Sequence, residues 1–286
     1  PGCCRVMYGW RLAERRALRS AFSGLFMTSR YFSQRPVSGA RTAYLVPVNS
    51  PWTLIANPTA GGGRRARAAH TCAAQLHVAG HEVVVRLTEY RGHGTALAAA
   101  AVQAQHGAVI VCGGDGTIAE VLPSLAQTHT ALGLIPLGTG NDLARALGIP
   151  RSPASAVRLL HRGLPSTIDL GRCGDRWFAT VAAFGFDAEI SQIMEGGDAP
   201  LHGTAGYLLA SLRHLRTYVP PRVRLSGDFG TLEREVFLAA IANTRSYGGG
   251  LRIAPDANPE DGCFDICIVD GGLSRSRLLS LLPKVF

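Results

Sequence analysis

Three times between residues 52 and 142, a turn rich in glycine follows a short apolar run and leads toward a helix-like stretch. The turns are Asn57-Pro-Thr-Ala-Gly61, Gly113-Gly-Asp-Gly-Thr117 and Gly138-Thr-Gly-Asn-Asp142. A glycine turn between a strand and a helix lets the backbone take left-handed angles and lets a ligand approach closely. Around these turns the pattern alternates. It reads as strand Trp52–Ala56, helix Arg64–Val78, strand Glu82–Leu87, helix His93–Gln105, strand Ala108–Cys112, helix Thr117–Ala126, strand Leu132–Pro136 and helix Asn141–Leu147. Strands alternating with helices at this spacing predict βαβ units and a parallel sheet. All three turns then fall at the carboxyl ends of strands, on the edge where α/β folds bind ligands. Exposed N–H groups at such turns, and at the helices that follow, favour anions.

After Pro165 the pattern changes. Ser166–Arg172, Trp177–Ala183, Arg222–Leu225, Glu235–Ala242 and Phe264–Val269 read as strands, and only Thr204–Leu215 reads as a long helix. We therefore expect an α/β domain over 51–163 and a β-rich domain over 164–286, with the cleft between them as the default ligand site. Residues 1–50 differ from both. Trp10, Ala13, Ala17, Ala21 and Leu25 recur at near-helical spacing beside Arg11, Arg15 and Arg19. The segment reads as a disordered or artefactual extension, with a basic amphipathic targeting helix as the alternative.

Charge narrows the function classes. The net charge of +9 is concentrated at the start, where eight arginines precede residue 42 against the single acid Glu14. The rest is close to neutral, which argues against nucleic acid as a partner. Lys284 is the only lysine, so no upstream lysine can serve as the phosphate-binding lysine of a P-loop or a protein kinase. The cysteines, at 3, 4, 72, 112, 173, 263 and 267, show no C-x-x-C pair. They read as reduced intracellular thiols, with Cys112 in the core. No stretch reaches the ~18 apolar residues that cross a bilayer.

Asp115 is the unusual residue. A carboxylate inside a phosphate-binding loop is repelled by phosphate unless a cation lies between them, and Mg²⁺ prefers carboxylate and phosphate oxygens. The simpler alternative is that Asp115 caps a helix starting near Thr117. Asp142 repeats the theme after Gly138 and Gly140, and Asp169 adds a third acid. The segment Gly114–Ala119 also fits a dinucleotide fingerprint, but no ribose-binding acid follows the next strand.

In order along residues 52–283, the chain resembles the catalytic domain of the diacylglycerol kinase family, in its soluble bacterial lipid-kinase branch. The matching pieces begin with Asn57–Gly61, Gly113–Thr117 with Glu120-Val121, and Pro136–Arg145. Ile168–Gly171, Phe184–Ala188, Gly248–Gly250, and Ala254–Ala257 with Asp261-Gly262 follow. The resemblance implies a three-layer nucleotide domain and a β-sandwich lipid domain. It implies phosphoryl transfer from ATP to the hydroxyl of diacylglycerol or a related lipid alcohol. Sphingoid or isoprenoid alcohols, and a nucleotide-binding protein without turnover, stand as alternatives. Asn57, Pro58, Thr59, Ala60, Gly61, Thr88, Gly113, Gly114, Asp115, Gly116, Thr117, Ile118, Ala119 and Thr139 would line ATP. Asp115, Asp142 and Asp169 would form the carboxylate network around Mg²⁺. A second, structural Mg²⁺ would sit on Asp261 with backbone oxygens near Asn258 and Cys263. The family's Asp-Gly-Glu motif, associated with the catalytic base, does not occur before Phe286, so the expectation is a truncated chain or a weak base. The lipid acceptor implies a cytoplasmic protein on a membrane surface, with homodimer formation left open. Tyr207, Leu208 and Leu212 would either face that membrane or pack in the core.

Overall fold

The computed structural model describes residues 26–32, 50–58, 64–195, 203–227 and 229–274. They divide into two compact units. One runs to Thr180 and includes Tyr247–Gly250; the other holds Val181–Ser246 and the chain from Leu251 onward.

The first unit is built on a parallel sheet of β2 (Trp52–Ala56), β3 (Val83–Leu87), β4 (Ala108–Gly113) and β5 (Ala131–Pro136), in the order β3-β2-β4-β5. Every residue of β2 and β4 is buried. Such runs mark parallel strands covered on both faces rather than half-exposed ones. Side chains alternate between the faces. Leu54, Ala56, Ile110 and Cys112 meet Cys72 and Leu76 of helix α1 (Arg64–Val78) and Ala156 and Val157 of a later helix, Pro153–Arg162. Ile55, Val109 and Val111 meet Ala98 and Ala101 of α2 (His93–Gln103), and Ile118, Val121 and Leu122 of α3 (Asp115–Leu125). The result is three layers. Ala56 pairs with both Leu87 and Cys112, and Cys112 with Ile135, so the strands end level. Asn57 and Pro58 and the turns after β4 and β5 therefore share one edge, together with the short helix α4 (Asp142–Ala146).

Helix α5 (Pro153–Arg162) was not expected from the sequence. The sequence pattern gives no element between Leu147 and Pro165, yet Ser152 takes the cap position and Pro153 opens the first turn, where its missing N–H costs nothing. Burial of Ala156 and Val157 then holds the helix on the sheet. The expected strand Ser166–Arg172 shrinks to β6 (Gly171–Cys173), in a hairpin with β7 (Arg176–Phe178). A methyl group on Gly171 would lie 2.0 Å from Phe178 Cζ, so this close crossing requires glycine. Ile168, Leu170 and Trp177 pack on the core beside α2 and α3. The hairpin thus belongs to the first unit, although the sequence reading starts the second domain near 164.

The second unit is antiparallel. Strand β10 (Gly230–Ala242) pairs through its first half with β9 (Arg222–Gly227) and through its second half with β8 (Val181–Gly185). On its other side it pairs with β13 (Cys263–Asp270), which follows the short strands β11 (Ser246–Tyr247) and β12 (Leu251–Arg252), with a break in register between Val236 and Leu238. Phe26–Phe32, within the segment read as an extension, forms β1 and pairs with β13. The expected helix near residues 10–25 lies outside the described residues. Val236, Ala239, Ile266 and Ile268 form the core. Two helices follow β8: α6 (Phe186–Glu195), which the sequence did not suggest, and α7 (Gly203–His214). Phe186 stacks on Phe237 at 4.6 Å, and the Tyr218 hydroxyl donates to the Phe237 carbonyl at 3.1 Å. Burial, with Glu189 adding to it, pushes the Tyr218 phenol up to about 12. Tyr207 donates to the buried Asp187, so it packs inward; Leu212 is exposed, and Leu208's side chain lies outside the described set.

Ile110 is fully buried at the centre of the parallel sheet. Ile110→Ala should lower the unfolding free energy by about 2–5 kcal/mol, read as a shift in the urea midpoint without a change in slope.

Candidate functional site

The site begins where two glycine turns touch. Gly114 ends β4's turn and Gly138 opens β5's. A Cβ on Gly114 would lie 2.8 Å from the Gly138 Cα, and one on Gly138 would lie 2.5 Å from the Gly114 Cα. Any side chain at either position would force the turns apart. The Leu137 N–H donates to the Gly113 carbonyl at 2.8 Å and extends the ladder into this contact. Asn141 locks the second turn. It adopts a left-handed φ of 50°, which asparagine tolerates better than most residues. Its Oδ1 accepts from the Gly138 N–H at 2.8 Å, and its Nδ2 donates to the Gly138 carbonyl at 2.7 Å.

This contact brings two acids together. Asp115 opens α3 and Asp142 opens α4. Their Oδ2 atoms lie 2.9 and 3.2 Å from the place a Cβ would occupy on Gly140. Asp115 does not cap its own helix: the cap position is Gly114, and no side-chain bond closes it. Its Oδ1 instead accepts from the Leu143 N–H of α4 at 3.3 Å, which ties one acid-bearing helix to the other. Its Oδ2 has no hydrogen-bond donor among the described residues. The Asp142 side chain is nearly buried and well paired. The Gly249 N–H donates to both its oxygens, at 3.2 and 2.9 Å, and Arg145 pairs with Oδ1 while donating to the Gly140 carbonyl.

Two hard-oxygen carboxylates facing one small gap, one of them with an open oxygen, fit Mg²⁺ better than a softer metal. Nothing lies within 4 Å of where a Cβ on Gly116 would sit, so the outer side of the loop has room for a ligand. The first-turn N–H groups of α3 give this edge the partial positive charge that anions favour.

Thr88 is buried at the end of β3, its N–H donating to the Ala56 carbonyl at 2.9 Å. Asn57 and Pro58 are half-buried just past β2; Thr59, Ala60 and Gly61 lie outside the described residues. Thr117 and Gly113 touch across the turn, with Thr117 Oγ1 3.1 Å from a Cβ on Gly113. Ile118 points into the core, so only its backbone is available to a ligand, whereas Ala119 and Thr139 are exposed. Asp169 is half-buried on the segment leading to β6. Asn258, Asp261 and Cys263 share one turn at the start of β13. There the Cys263 N–H donates to Asp261 Oδ1 at 3.0 Å, and the Glu260 N–H to Asn258 Oδ1 at 3.2 Å.

Sequence reasoning gave no role to Arg145, Gly249 or Glu120. Glu120 Oε2 accepts from the Gly94 N–H at 3.1 Å and fixes the start of α2 against α3. The run Gly248-Gly-Gly250 was visible. All three glycines have positive φ, at 59°, 90° and 127°, and this backbone delivers the Gly249 N–H to Asp142. A contact across 107 residues leaves no local pattern to read.

Comparison with known proteins bears on the family. Residues 51–173 match the diacylglycerol kinase catalytic domain, and residues 180–286 match the YegS C-terminal NAD kinase beta sandwich-like domain. A diacylglycerol kinase of Mycobacterium tuberculosis H37Rv is 41% identical over 242 residues, covering 82% of this chain and 77% of that protein. A diacylglycerol kinase of Bacillus subtilis 168 is 32% identical, covering 76% of this chain and 72% of its own length. The crystal structure of a diacylglycerol kinase from Bacillus anthracis Sterne superposes with a TM-score of 0.61 at 26% identity, over 78% of this chain and 74% of that one. Its glycine turns, paired acids and two-unit architecture, together with this likeness, place the chain in the diacylglycerol kinase family of lipid kinases.

Proposed function

We propose that this lipid kinase transfers the γ-phosphoryl group of ATP to the hydroxyl of diacylglycerol or a closely related lipid alcohol, at a membrane surface. The observation that carries the reading is the Gly114–Gly138 contact, because it sets Asp115 and Asp142 around one gap beside a helix N-terminus. The diacylglycerol kinases among its relatives support the acceptor class.

Phosphoryl transfer asks little covalent chemistry of a protein. Positioning and charge neutralisation carry most of the rate. The loop Gly113–Ala119 offers backbone N–H groups and open space to the phosphates, with Asn57–Gly61, Thr88 and Thr139 around the rest of the nucleotide. Asp115 and Asp142 would hold Mg²⁺, with Asp169 completing the network. Bound there, the ion would neutralise charge on the phosphate oxygens. Asp142 is fixed by Arg145 and by the Gly249 N–H, so its carboxylate keeps one orientation. Asp115 supplies the open oxygen. Asn258, Asp261 and Cys263 would form a separate structural Mg²⁺ site. No helix among the described residues is long and apolar enough to cross a membrane, which suits an acceptor reached from the bilayer surface.

Transfer of labelled phosphate from ATP-Mg²⁺ to mixed micelles tests the reading directly. Labelling of diacylglycerol above sphingosine and long-chain isoprenoid alcohols is expected; preference for either competitor would reassign the acceptor. Asp115→Asn should lower kcat at least about a hundredfold while leaving the melting temperature nearly unchanged. Turnover like the wild type in that variant would sink the metal assignment. Gly138→Ala should cost about 1–3 kcal/mol of stability and weaken ATP binding measured by calorimetry, because the added methyl separates the two turns.

A further inference from the structure

The two helix layers around the parallel sheet carry opposite electrostatic character. From Asn57 to His81 and from Leu143 to Ile168 the chain contains no Asp or Glu. These stretches supply α1 and α5, which pack side by side on one face. From His93 to Ala144, which supplies α2 and α3 on the other face, there is no Lys or Arg. Arg65, Arg67, Arg151, Arg158 and Arg162 belong to the first layer. None of them has a carboxylate partner among the described residues, so their charge is not neutralised within the layer.

The basic layer also carries apolar tips. His81 Nε2 and His161 Nδ1 lie 3.2 Å apart, which sets the carboxyl ends of α1 and α5 next to each other. Around that junction Val78 is 91% exposed, Leu164 87% and Leu159 44%, beside Arg158 and Arg162. A single exposed apolar side chain is ordinary, but several grouped at one junction and rimmed by charge mark an interaction surface. Arginines without carboxylate partners, interspersed with protruding leucine and valine, match the surface of an anionic bilayer. The guanidinium groups meet phosphate head groups while the apolar tips enter the boundary with the acyl chains.

We propose that the α1–α5 face docks this chain on anionic phospholipid membranes, with the Val78–Leu164 junction inserted. The exposed apolar tips favour a bilayer over nucleic acid, whose backbone offers them no apolar partner. The α2–α3 layer, without cations, then faces away from the negative surface and fixes the orientation. Docking needs no phosphoryl transfer, so its failure would leave the kinase reading untouched.

The test uses the whole chain and vesicles of equal parts phosphatidylglycerol and phosphatidylcholine that carry bromine on their acyl chains. Against the parent protein, the Leu164→Trp variant should show new fluorescence that the bromine quenches. The Gln103→Trp variant, on the exposed end of α2, should show fluorescence that it does not quench. The double variant Arg158→Glu/Arg162→Glu should bind these vesicles more than about tenfold more weakly. The charge-matched Arg172→Glu/Arg176→Glu should bind nearly as the parent does. Binding with equal quenching at both tryptophan positions overturns the proposal, as does equal loss in both double variants. So does the absence of binding to these vesicles, or tight binding to duplex DNA in place of them.

Discussion

The contact between Gly114 and Gly138 is the constraint on which the nucleotide edge depends. Parallel strands alone would set two turns about one strand spacing apart, with side chains between them. Removing both side chains lets the backbones meet. Everything that follows is placed by that approach: the start of α3, the Asn141 lock, the start of α4, and the two acids that open those helices. The chemistry depends on how closely two strands of backbone can come together, more than on any single reactive group.

Asp142 is the second organising point. A nearly buried carboxylate is costly unless hydrogen bonds and an opposite charge compensate it. Here the compensation comes from near and far. Arg145 stands on the next turn of the same short helix, and the Gly249 N–H arrives from the far end of the chain. The three glycines at 248–250 are needed because their backbone angles are ones that residues with side chains rarely adopt. The acid that would help hold a metal therefore also fastens Tyr247–Gly250 to the first unit, so loop order and site geometry are coupled. Asp115, by contrast, spends one oxygen on α4 and keeps the other open. Two acids of like sequence context thus have different duties, set by their partners.

Much of the fold was legible from residue order. Helix α1, strand β3 and strand β5 lie within a residue or so of where periodicity put them, because apolar runs and glycine punctuation are local properties. Helices α5 and α6 were not legible. Pro150 and Pro153 disguise the first, and the second starts directly after β8 with no connecting residue between them. Their helicity is settled by burial of Ala156 and Val157 in one case and of Phe186 and Ile190 in the other.

Sequence alone determined that glycine turns would end parallel strands on one edge, and that Asp115 and Asp142 would sit in two of them. Those facts follow from spacing and residue type, which act over a few residues. Tertiary structure decided which oxygen of each acid is free, that Gly249 would be the donor to Asp142, and that α1 and α5 would join two acid-free stretches into one basic face. These depend on contacts between residues far apart in the chain. Such contacts form only when burial of the two sheet faces folds the strands into register, and no local pattern encodes them.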